Sequence, residues 1–304
     1  MIYRRAPGQT SQMTWLDRHG KVLDTEGEPY VANSLPHLSP DGQRAAMGVF
    51  DGRNIDIWIS EFARGTTRLT SDPGLKDAPV WSPDGRYVAF SSSRAGHYDV
   101  YRKASNGDGA EELLFESGEN KYPSSWSRDG RFLRISRSIQ RRRAILWVLP
   151  MEGAKDRRPF AFLQTDATEI AGAFSPDTRW VAYTSDESGS WEIYVRSFTS
   201  PAAAGSSPAG PKRLVSKGGG TGPRWRSDGQ ELFYQAPDGS VMAVNVTIDP
   251  MLDSGLPRLL FQLPLNRLWD VDAGGERFFF LMPVGEGTPP PFTVVRNWQK
   301  GLKR

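Results

Sequence analysis

The chain of 304 residues contains no cysteine and only three histidines. Without cysteine it can form no disulfide, no thiolate metal site and no thiol nucleophile. The histidines, His19, His37 and His97, are far apart in the sequence and lack the spacing of metal ligands. We interpret them as loop or turn residues and predict neither a metal site nor a bound cofactor.

Long hydrophobic runs are also missing. No stretch of about eighteen apolar residues occurs, so no membrane-spanning segment is predicted. The N-terminal residues lack the apolar segment that signal peptides carry. Hydrophobic residues nevertheless make up 38% of the chain and aromatic residues 11%, enough to build a core. We therefore expect a folded domain, and we expect it to be a monomer.

What the chain does have is a repeated turn motif, Ser-Pro-Asp-Gly, preceded by an aromatic or apolar residue. Five copies and a degraded sixth occupy residues 38–42, 81–85, 126–130, 174–178, 225–229 and 271–275. The last residues of these copies are 43, 45, 48, 51 and 46 positions apart. A nearly fixed period of this size predicts a repeat architecture.

Each period also has the same internal pattern. Pro, Asp and Gly suit a tight turn for separate reasons. Pro presets the φ angle, the Asp side chain can hydrogen-bond to the nearby backbone, and Gly adopts a positive φ angle at little cost. A strand-like run follows each turn, such as residues 87–91, and then come a polar loop, a second strand and a short third one. With the run before the turn this makes four strands per period, which predicts a blade of a β-propeller.

The run over residues 81–101, WSPDGRYVAFSSSRAGHYDVY, resembles the TolB-type, WD-repeat-like propeller blade. Residues 14–18, 179–189, 223–225 and 292–298 resemble the propeller at the C-terminal end of bacterial serine/threonine protein kinases. This resemblance implies a sensor or interaction module of a kinase-type receptor outside the cytoplasm. The chain itself has no kinase signature, neither a glycine-rich loop with its strand lysine nor an Asp-Phe-Gly sequence.

We predict a single β-propeller domain over residues 1–304, with about seven four-stranded blades. Residues 1–30 would form a first blade that is incomplete on its N-terminal side, as in a chain truncated from a longer protein. Residues 31–264 would form five full blades and residues 265–304 the last one. Six blades are the alternative, since only six turn motifs are present.

The residues of the repeated turns are interpreted as structural, because a catalytic residue has no reason to recur in five blades. They are Asp41, Gly42, Asp84, Gly85, Asp129, Gly130, Asp177, Asp228 and Gly229. Asp56 and Asp99, which precede aromatic strands, are interpreted as turn caps. The aromatic residue before each turn, as in Trp81 and Trp225, is expected to pack between adjacent blades.

One blade is rich in arginine, and its densest run is Arg141, Arg142 and Arg143. These side chains either form a solvated hairpin tip or dock an anionic partner such as a lipid headgroup or an acidic protein. Nucleic acid is not expected, because the run is confined to one repeat and no nucleic-acid-binding module is present.

Two classes of function stay open at this point. The first is a non-enzymatic scaffold that binds a protein or a small molecule, with no catalytic residue. The second is a propeller hydrolase or lyase with a metal in the central channel, although no nucleophile motif supports it. A Tol-type protein of the bacterial envelope is a further possibility, based on the fold alone.

Overall fold

The computed structural model describes residues 10–32, 34–62, 64–139, 143–153, 157–200, 209–247, 252–263 and 269–284. Within these ranges the chain forms strands β1 to β25 and no helix, so the prediction of an all-β fold is confirmed. The short runs of β-branched and aromatic residues that follow each turn form these strands because such residues pack well on a pleated surface.

The strands form six antiparallel sheets, which are the blades of a propeller. We name them blades A to F and describe the strands of each from the innermost to the outermost. Blade A contains β24 (Trp269–Val271), β25 (Arg277–Pro283), β1 (Ser11–Asp17) and β2 (Val22–Tyr30). Blade B contains β3 (His37–Leu38), β4 (Arg44–Phe50), β5 (Ile55–Glu61) and β6 (Gly65–Arg68). Blade C contains β7 (Lys76–Trp81), β8 (Tyr87–Ser92), β9 (Asp99–Ala104) and β10 (Glu112–Phe115).

The remaining blades continue in the same order. Blade D contains β11 (Asn120–Trp126), β12 (Phe132–Ile139), β13 (Arg143–Pro150) and β14 (Phe160–Leu163). Blade E contains β15 (Glu169–Phe174), β16 (Trp180–Ser185), β17 (Glu192–Phe198) and β18 (Ala209–Leu214). Blade F contains β19 (Thr221–Trp225), β20 (Glu231–Gln235), β21 (Ser240–Thr247) and two short partners of β21, namely β22 (Asp253–Ser254) and β23 (Arg258–Gln262).

The ring is closed by blade A, which combines both ends of the described chain. Strand β1 pairs with β25 from Ser11 opposite Pro283 to Asp17 opposite Arg277, without a register shift. The structure therefore has six blades, the alternative count, and the expected seventh, incomplete blade is not a separate sheet. Residues 11–30 carry no turn motif of their own because they supply the two outer strands of a blade whose motif lies near residue 272.

An ion-pair network holds this closure together. Glu231 of blade F is buried and accepts hydrogen bonds from Arg18 Nη2 at 2.7 Å and from Arg226 Nη1 at 3.0 Å, and it also pairs with Arg258. Arg18 lies between β1 and β2, and its guanidinium also stacks 5.5 Å from the centre of the Phe233 ring. The N-terminal strand pair is thus tied to the neighbouring blade by side chains as well as by the sheet.

Every repeated turn joins the innermost strand of its blade to the second strand. In blade C, Asp84 Oδ1 accepts hydrogen bonds from Ser82 Oγ at 2.6 Å and from Arg86 N at 3.1 Å. Ser82 Oγ in turn accepts a hydrogen bond from Tyr87 N at 2.9 Å. The same serine and aspartate contacts recur in blades B, D and E, so each turn satisfies its own backbone donors.

The core lies between the blades rather than inside one sheet. Trp81 of blade C is buried against Ile57 and Leu69 of blade B, and its Nε1 donates a hydrogen bond to His37 O at 2.9 Å. Trp225 of blade F repeats this arrangement by donating to the carbonyl oxygen of blade E residue 173 at 3.2 Å. The prediction that these aromatic residues pack between blades is confirmed for both tryptophans. Each blade is stabilised by its neighbours.

Candidate binding site at the propeller axis

The innermost strands of the six blades surround the propeller axis. The residue just before each turn aromatic, or its equivalent, occupies the same position in every blade. These residues are His37, Val80, Ser125, Ala173, Arg224 and Asp270 in blades B, C, D, E, F and A. Three neighbouring blades therefore place ionisable groups at this level, while the others contribute small or apolar ones.

The polar groups on one side of the axis form a linked cluster. Asp270 Oδ1 of blade A accepts a hydrogen bond from Arg224 Nε of blade F at 3.0 Å. Asp270 Oδ2 accepts a second one from Leu38 N of blade B at 2.8 Å. Burial lowers the pKa of the His37 imidazole, although the nearby Asp270 opposes this change. The cluster links blades A, B and F to one another.

The end of the axis that carries the repeated turns is partly bridged. Arg128, in the turn of blade D, donates from Nη1 to Ser227 O in the turn of blade F at 2.9 Å. Ser227 N donates to Ala273 O in the turn of blade A at 3.0 Å. These bonds connect the turns of blades D, F and A. Blades D and F are not neighbours in the ring. We refer to this end as the turn face.

A cleft of about 420 Å³ opens on the turn face between blades C and D. Its lining includes Tyr87, Trp126 and three arginines. Two of them, Arg86 and Arg102, are already paired with Asp84 at 2.6 Å and with Glu112 at 2.6 Å. The cationic groups that border this cleft are thus largely neutralised by carboxylates of their own blade.

The opposite end of the axis, which we call the loop face, carries two buried ion pairs. Lys76 Nζ lies 3.1 Å from Asp56 Oδ1, and Lys121 Nζ lies 2.7 Å from Asp99 Oδ1. In each pair the lysine lies at the start of the innermost strand of one blade, and the aspartate belongs to the preceding blade. Asp56 and Asp99 were predicted to be turn caps, and Asp99 Oδ1 does accept a hydrogen bond from Ser117 N at 3.1 Å. Both aspartates also neutralise these buried lysines across a blade boundary.

Next to these lysines the loop face presents a carboxylate and two aromatic rings. Asp77 follows Lys76 on β7, Tyr122 follows Lys121 on β11, and Tyr98 precedes β9. The Tyr98 and Tyr122 rings lie 5.2 Å apart at an angle of 39°, and all three side chains are half-buried. Burial raises the pKa of Asp77 to about 6, whereas the hydrogen bond from Ala78 N acts in the opposite direction.

The pKa values of both tyrosines are affected by Asp77. Burial raises the pKa of Tyr122 to about 12, and Tyr98 and Asp77 add to this shift. The pKa of Tyr98 is likewise raised, first by burial and then by Asp77. We refer to Asp77, Tyr98 and Tyr122 together as the loop-face cluster. It was not predicted from the sequence, although Asp77 and Tyr122 both lie four residues before a turn tryptophan.

The other residues singled out in the sequence lie apart from this cluster. The aspartates and glycines of the repeated turns are on the turn face. His97 Nε2 lies 3.2 Å from Asp99 Oδ2 on the loop face, and His19 is in the exposed turn between β1 and β2. Arg141 and Arg142 lie outside the described residues, and Arg143 begins β13. Anion docking by these three arginines stays a prediction.

Two further observations concern metal binding and membrane-spanning helices in the part of the chain that the structure describes. Across those ranges no group of three or more histidine, aspartate or glutamate side chains is arranged to hold a metal ion. Nor do these ranges include a helix that is long and apolar enough to cross a membrane.

Comparison with known proteins gives the same fold. Residues 21–158 match the family model of the TolB beta propeller domain. An uncharacterized protein of Agrobacterium fabrum is 36% identical over 105 residues, which are 33% of this chain and 36% of that protein. The Tol-Pal system protein TolB of Syntrophus aciditrophicus is 32% identical over 93 residues, which are 30% of this chain and 19% of that protein. The chain thus spans little more than a third of the first relative and about a fifth of the second.

A solved structure extends the likeness to most of the chain. The structure of putative TolB from Agrobacterium tumefaciens superposes with a TM-score of 0.67 and 16% identity. The superposition covers 91% of this chain and 99% of that one. At this identity the likeness concerns the fold alone. The repeated turns and the six sheets show that the chain is a β-propeller, and residues 21–158 of it are similar to the TolB beta propeller domain.

Proposed function

We propose that this chain is a non-enzymatic binding propeller of the bacterial envelope, of the Tol type, which holds a protein partner on its loop face. The similarity to a Tol-Pal system protein supports an envelope role, although the match spans only about a fifth of that relative. The same similarity supports a location outside the cytoplasm.

The observation that carries the proposal is the difference between the two ends of the axis. On the turn face, side chains and backbone groups of different blades bond to each other, as Arg128 does to Ser227. On the loop face, Tyr98 and Tyr122 expose part of their rings beside the Asp77 carboxylate. Half-buried aromatic residues with a polar neighbour are typical of the centres of protein interfaces.

The carboxylates near the axis support a binding role over catalysis. Asp56, Asp99 and Asp270 each accept an ion pair from a lysine or arginine of an adjacent blade. A carboxylate that is engaged in such a pair holds two blades together and is occupied by its cation rather than available to a substrate. Turnover of a lactone or peptide ester that stops when Asp77 is replaced would contradict the non-enzymatic role.

A sensor role in a kinase-type receptor is the second candidate, and only the kinase-like sequence stretches favour it. The two candidates predict different genes beside the one that encodes this propeller. A kinase reading frame that runs into residue 1 would support the receptor, whereas neighbouring genes for Tol components would support the envelope role.

The direct test is a titration of the purified chain with the Pal component of its own organism, followed by calorimetry. We expect saturable binding that weakens at least about tenfold when Tyr122 is replaced by serine, because interface aromatics carry much of the binding energy. Tyr87→Ser on the turn face is the matched control and should bind like the wild type. Absence of binding by the wild-type chain, or equal losses in both variants, would contradict the Tol-type role on the loop face.

A further inference from the structure

Among the residues that the structure describes, the Asp77 carboxylate of the loop-face cluster has no cationic partner. Asp77 Oδ1 accepts one hydrogen bond, from Ala78 N at 2.7 Å, and Oδ2 accepts none from the residues that the structure places. An ionised carboxylate that is partly removed from water is costly unless a cation compensates it. This cost distinguishes Asp77 from Asp56, Asp99 and Asp270.

Four basic side chains of blades C and D are paired with carboxylates other than Asp77. Lys76 and Lys121 point to Asp56 and Asp99, and their ammonium groups also donate to backbone carbonyls. Arg94 pairs with Asp72 at 2.9 Å and with Glu111, and it stacks 4.0 Å from the centre of the Tyr101 ring. His97 faces Asp99.

The backbone of Tyr98 is held in place by two residues of blade D. Tyr98 N donates to Asn120 Oδ1 at 2.9 Å, and Lys121 N donates to Tyr98 O at 2.9 Å. These bonds fix Tyr98 beside Tyr122, so the tilted ring pair exists before any ligand arrives. Preorganised aromatic rings next to a carboxylate attract compact cations through the negative faces of the rings and through the charge.

Blades E and F share the backbone conformation of this region but lack its carboxylate. Ala78, Ala171 and Gly222 all have positive φ angles, of 53°, 47° and 64°, at equivalent positions of β7, β15 and β19. The residues that precede the last two are Ile170 and Thr221, which carry no charge. The positive φ angle therefore recurs in three blades, whereas among these three only blade C has a carboxylate at the preceding position.

We propose that Asp77, Tyr98 and Tyr122 form a binding site for an alkylammonium group, with the cation over the two rings and against the carboxylate. Free small molecules of the choline type and lysine side chains of proteins both carry such a group. The site recognises the cation by its own three side chains, so it does not depend on the Tol-type partner.

Binding of choline to the full chain, followed by calorimetry at pH 7.5, tests the site. The uncharged isostere 3,3-dimethylbutanol has the same shape, and we expect it to bind at least about tenfold more weakly because it lacks the charge. A short peptide with one lysine, compared with its acetylated form, distinguishes a protein source from a small-molecule source. Binding of either cation supports the site, and the one that binds more tightly identifies the source.

Asp77→Asn should weaken binding at least about tenfold, and Tyr98→Leu should weaken it by about three- to tenfold. The matched control is Asp24→Asn, because Asp24 Oδ1 also accepts a hydrogen bond from the following backbone nitrogen, Thr25 N, at 2.8 Å, but lies exposed on β2. The Tyr98→Leu variant keeps the test valid if the substitution of Asp77 disturbs folding. Equal binding of choline and its isostere, or wild-type affinity in both variants, would overturn the proposal.

Discussion

Lys121 Nζ lies 2.7 Å from Asp99 Oδ1, and both side chains are almost fully buried between blades C and D. The pair repeats the contact of Lys76 with Asp56 one blade earlier. A buried ion pair contributes little net stability compared with apolar residues, but removal of one partner leaves a charge uncompensated in the interior. This asymmetry leads to a prediction about single and double substitutions.

We predict that Lys121→Met lowers the free energy of unfolding by about 3–5 kcal/mol. The double variant Lys121→Met with Asp99→Asn should regain a large part of this loss, since it removes both charges. Urea unfolding followed by fluorescence measures both values. The exposed pair of Arg86 with Asp84 is the control, and Arg86→Gln should leave the unfolding midpoint nearly unchanged. Additive effects of Lys121→Met and Asp99→Asn would show that the two side chains do not act as a pair.

Arg134 is a second buried cation, but its situation differs. Its side chain is fully buried on β12, and none of its three guanidinium nitrogens has a hydrogen-bond partner within the described part of the chain. Burial lowers the pKa of Arg134 to about 9, although Glu169 opposes the shift. Gly172 of blade E lies directly against the guanidinium, and a Cβ atom there would overlap it.

We predict that Arg134→Met is neutral or stabilises the fold by about 1–4 kcal/mol, because an apolar side chain of similar length removes an unpaired buried charge. Gly172→Ala should destabilise the wild type by about 1–3 kcal/mol, but less in the Arg134→Met background, since the overlap is then relieved. The folded pKa lies below the unfolded one, so the folded state binds fewer protons above about pH 9 and the advantage of Arg134→Met should shrink there. An equal cost of Gly172→Ala in both backgrounds would contradict this contact.

The raised pKa of Asp77 leads to a second prediction about pH, which concerns stability at acid rather than alkaline pH. Its folded pKa of about 6 lies above the ordinary value of 3.8, so the folded state binds more protons between these two values. Wild-type stability should therefore fall relative to Asp77→Asn as the pH rises from about 4 to about 6, and the variant should be more stable at pH 7 by about 1–3 kcal/mol. Thermal unfolding at pH 4 and pH 7 measures the difference. A gap of the same size at both pH values would mean that the carboxylate is not desolvated in the folded state.

The sequence predicted the blade and its turn because both are local. Each repeat carries its own Pro-Asp-Gly chemistry and its own aromatic residue, so residues 81–101 are sufficient to predict one blade. The number of blades was harder to predict, because blade A joins β1 to β25 across almost the whole chain. No local signal distinguishes an incomplete first blade from the outer half of the last one.

The loop-face contacts were missed for a related reason. Asp56 and Asp99 are 43 residues apart, and Lys76 and Lys121 are 45 residues apart, so both partners follow the period of the repeat. This pattern was visible in the sequence, but its meaning requires knowledge that the third strand of one blade lies beside the first strand of the next. The pair of Arg224 with Asp270 likewise joins two repeats, and neither residue is unusual within its own motif.

Thr178 stands where the other repeated turns have glycine. Its φ angle is +62°, close to the +67° of Gly42 and the +69° of Gly85, and its backbone nitrogen donates to Ser175 O at 2.9 Å as the glycines do in their turns. A β-branched residue in the left-handed region clashes with its own backbone and costs about 1–2 kcal/mol. Blade E retains the turn geometry because the serine and aspartate bonds of Ser175 and Asp177 impose it.

We predict that Thr178→Gly stabilises the protein by about 1 kcal/mol, because the relief of strain exceeds the greater chain entropy that glycine brings to the unfolded state. The reciprocal control is Gly42→Thr, since a Cβ atom at Gly42 would meet no other atom within 4 Å. Any loss there reports the backbone conformation alone, and we expect about 1 kcal/mol. Both values follow from urea unfolding at pH 7, where the turn aspartates are ionised. If Thr178→Gly destabilised the fold while Gly42→Thr was also unfavourable, the threonine side chain would have to make a stabilising contact that outweighs its strained backbone.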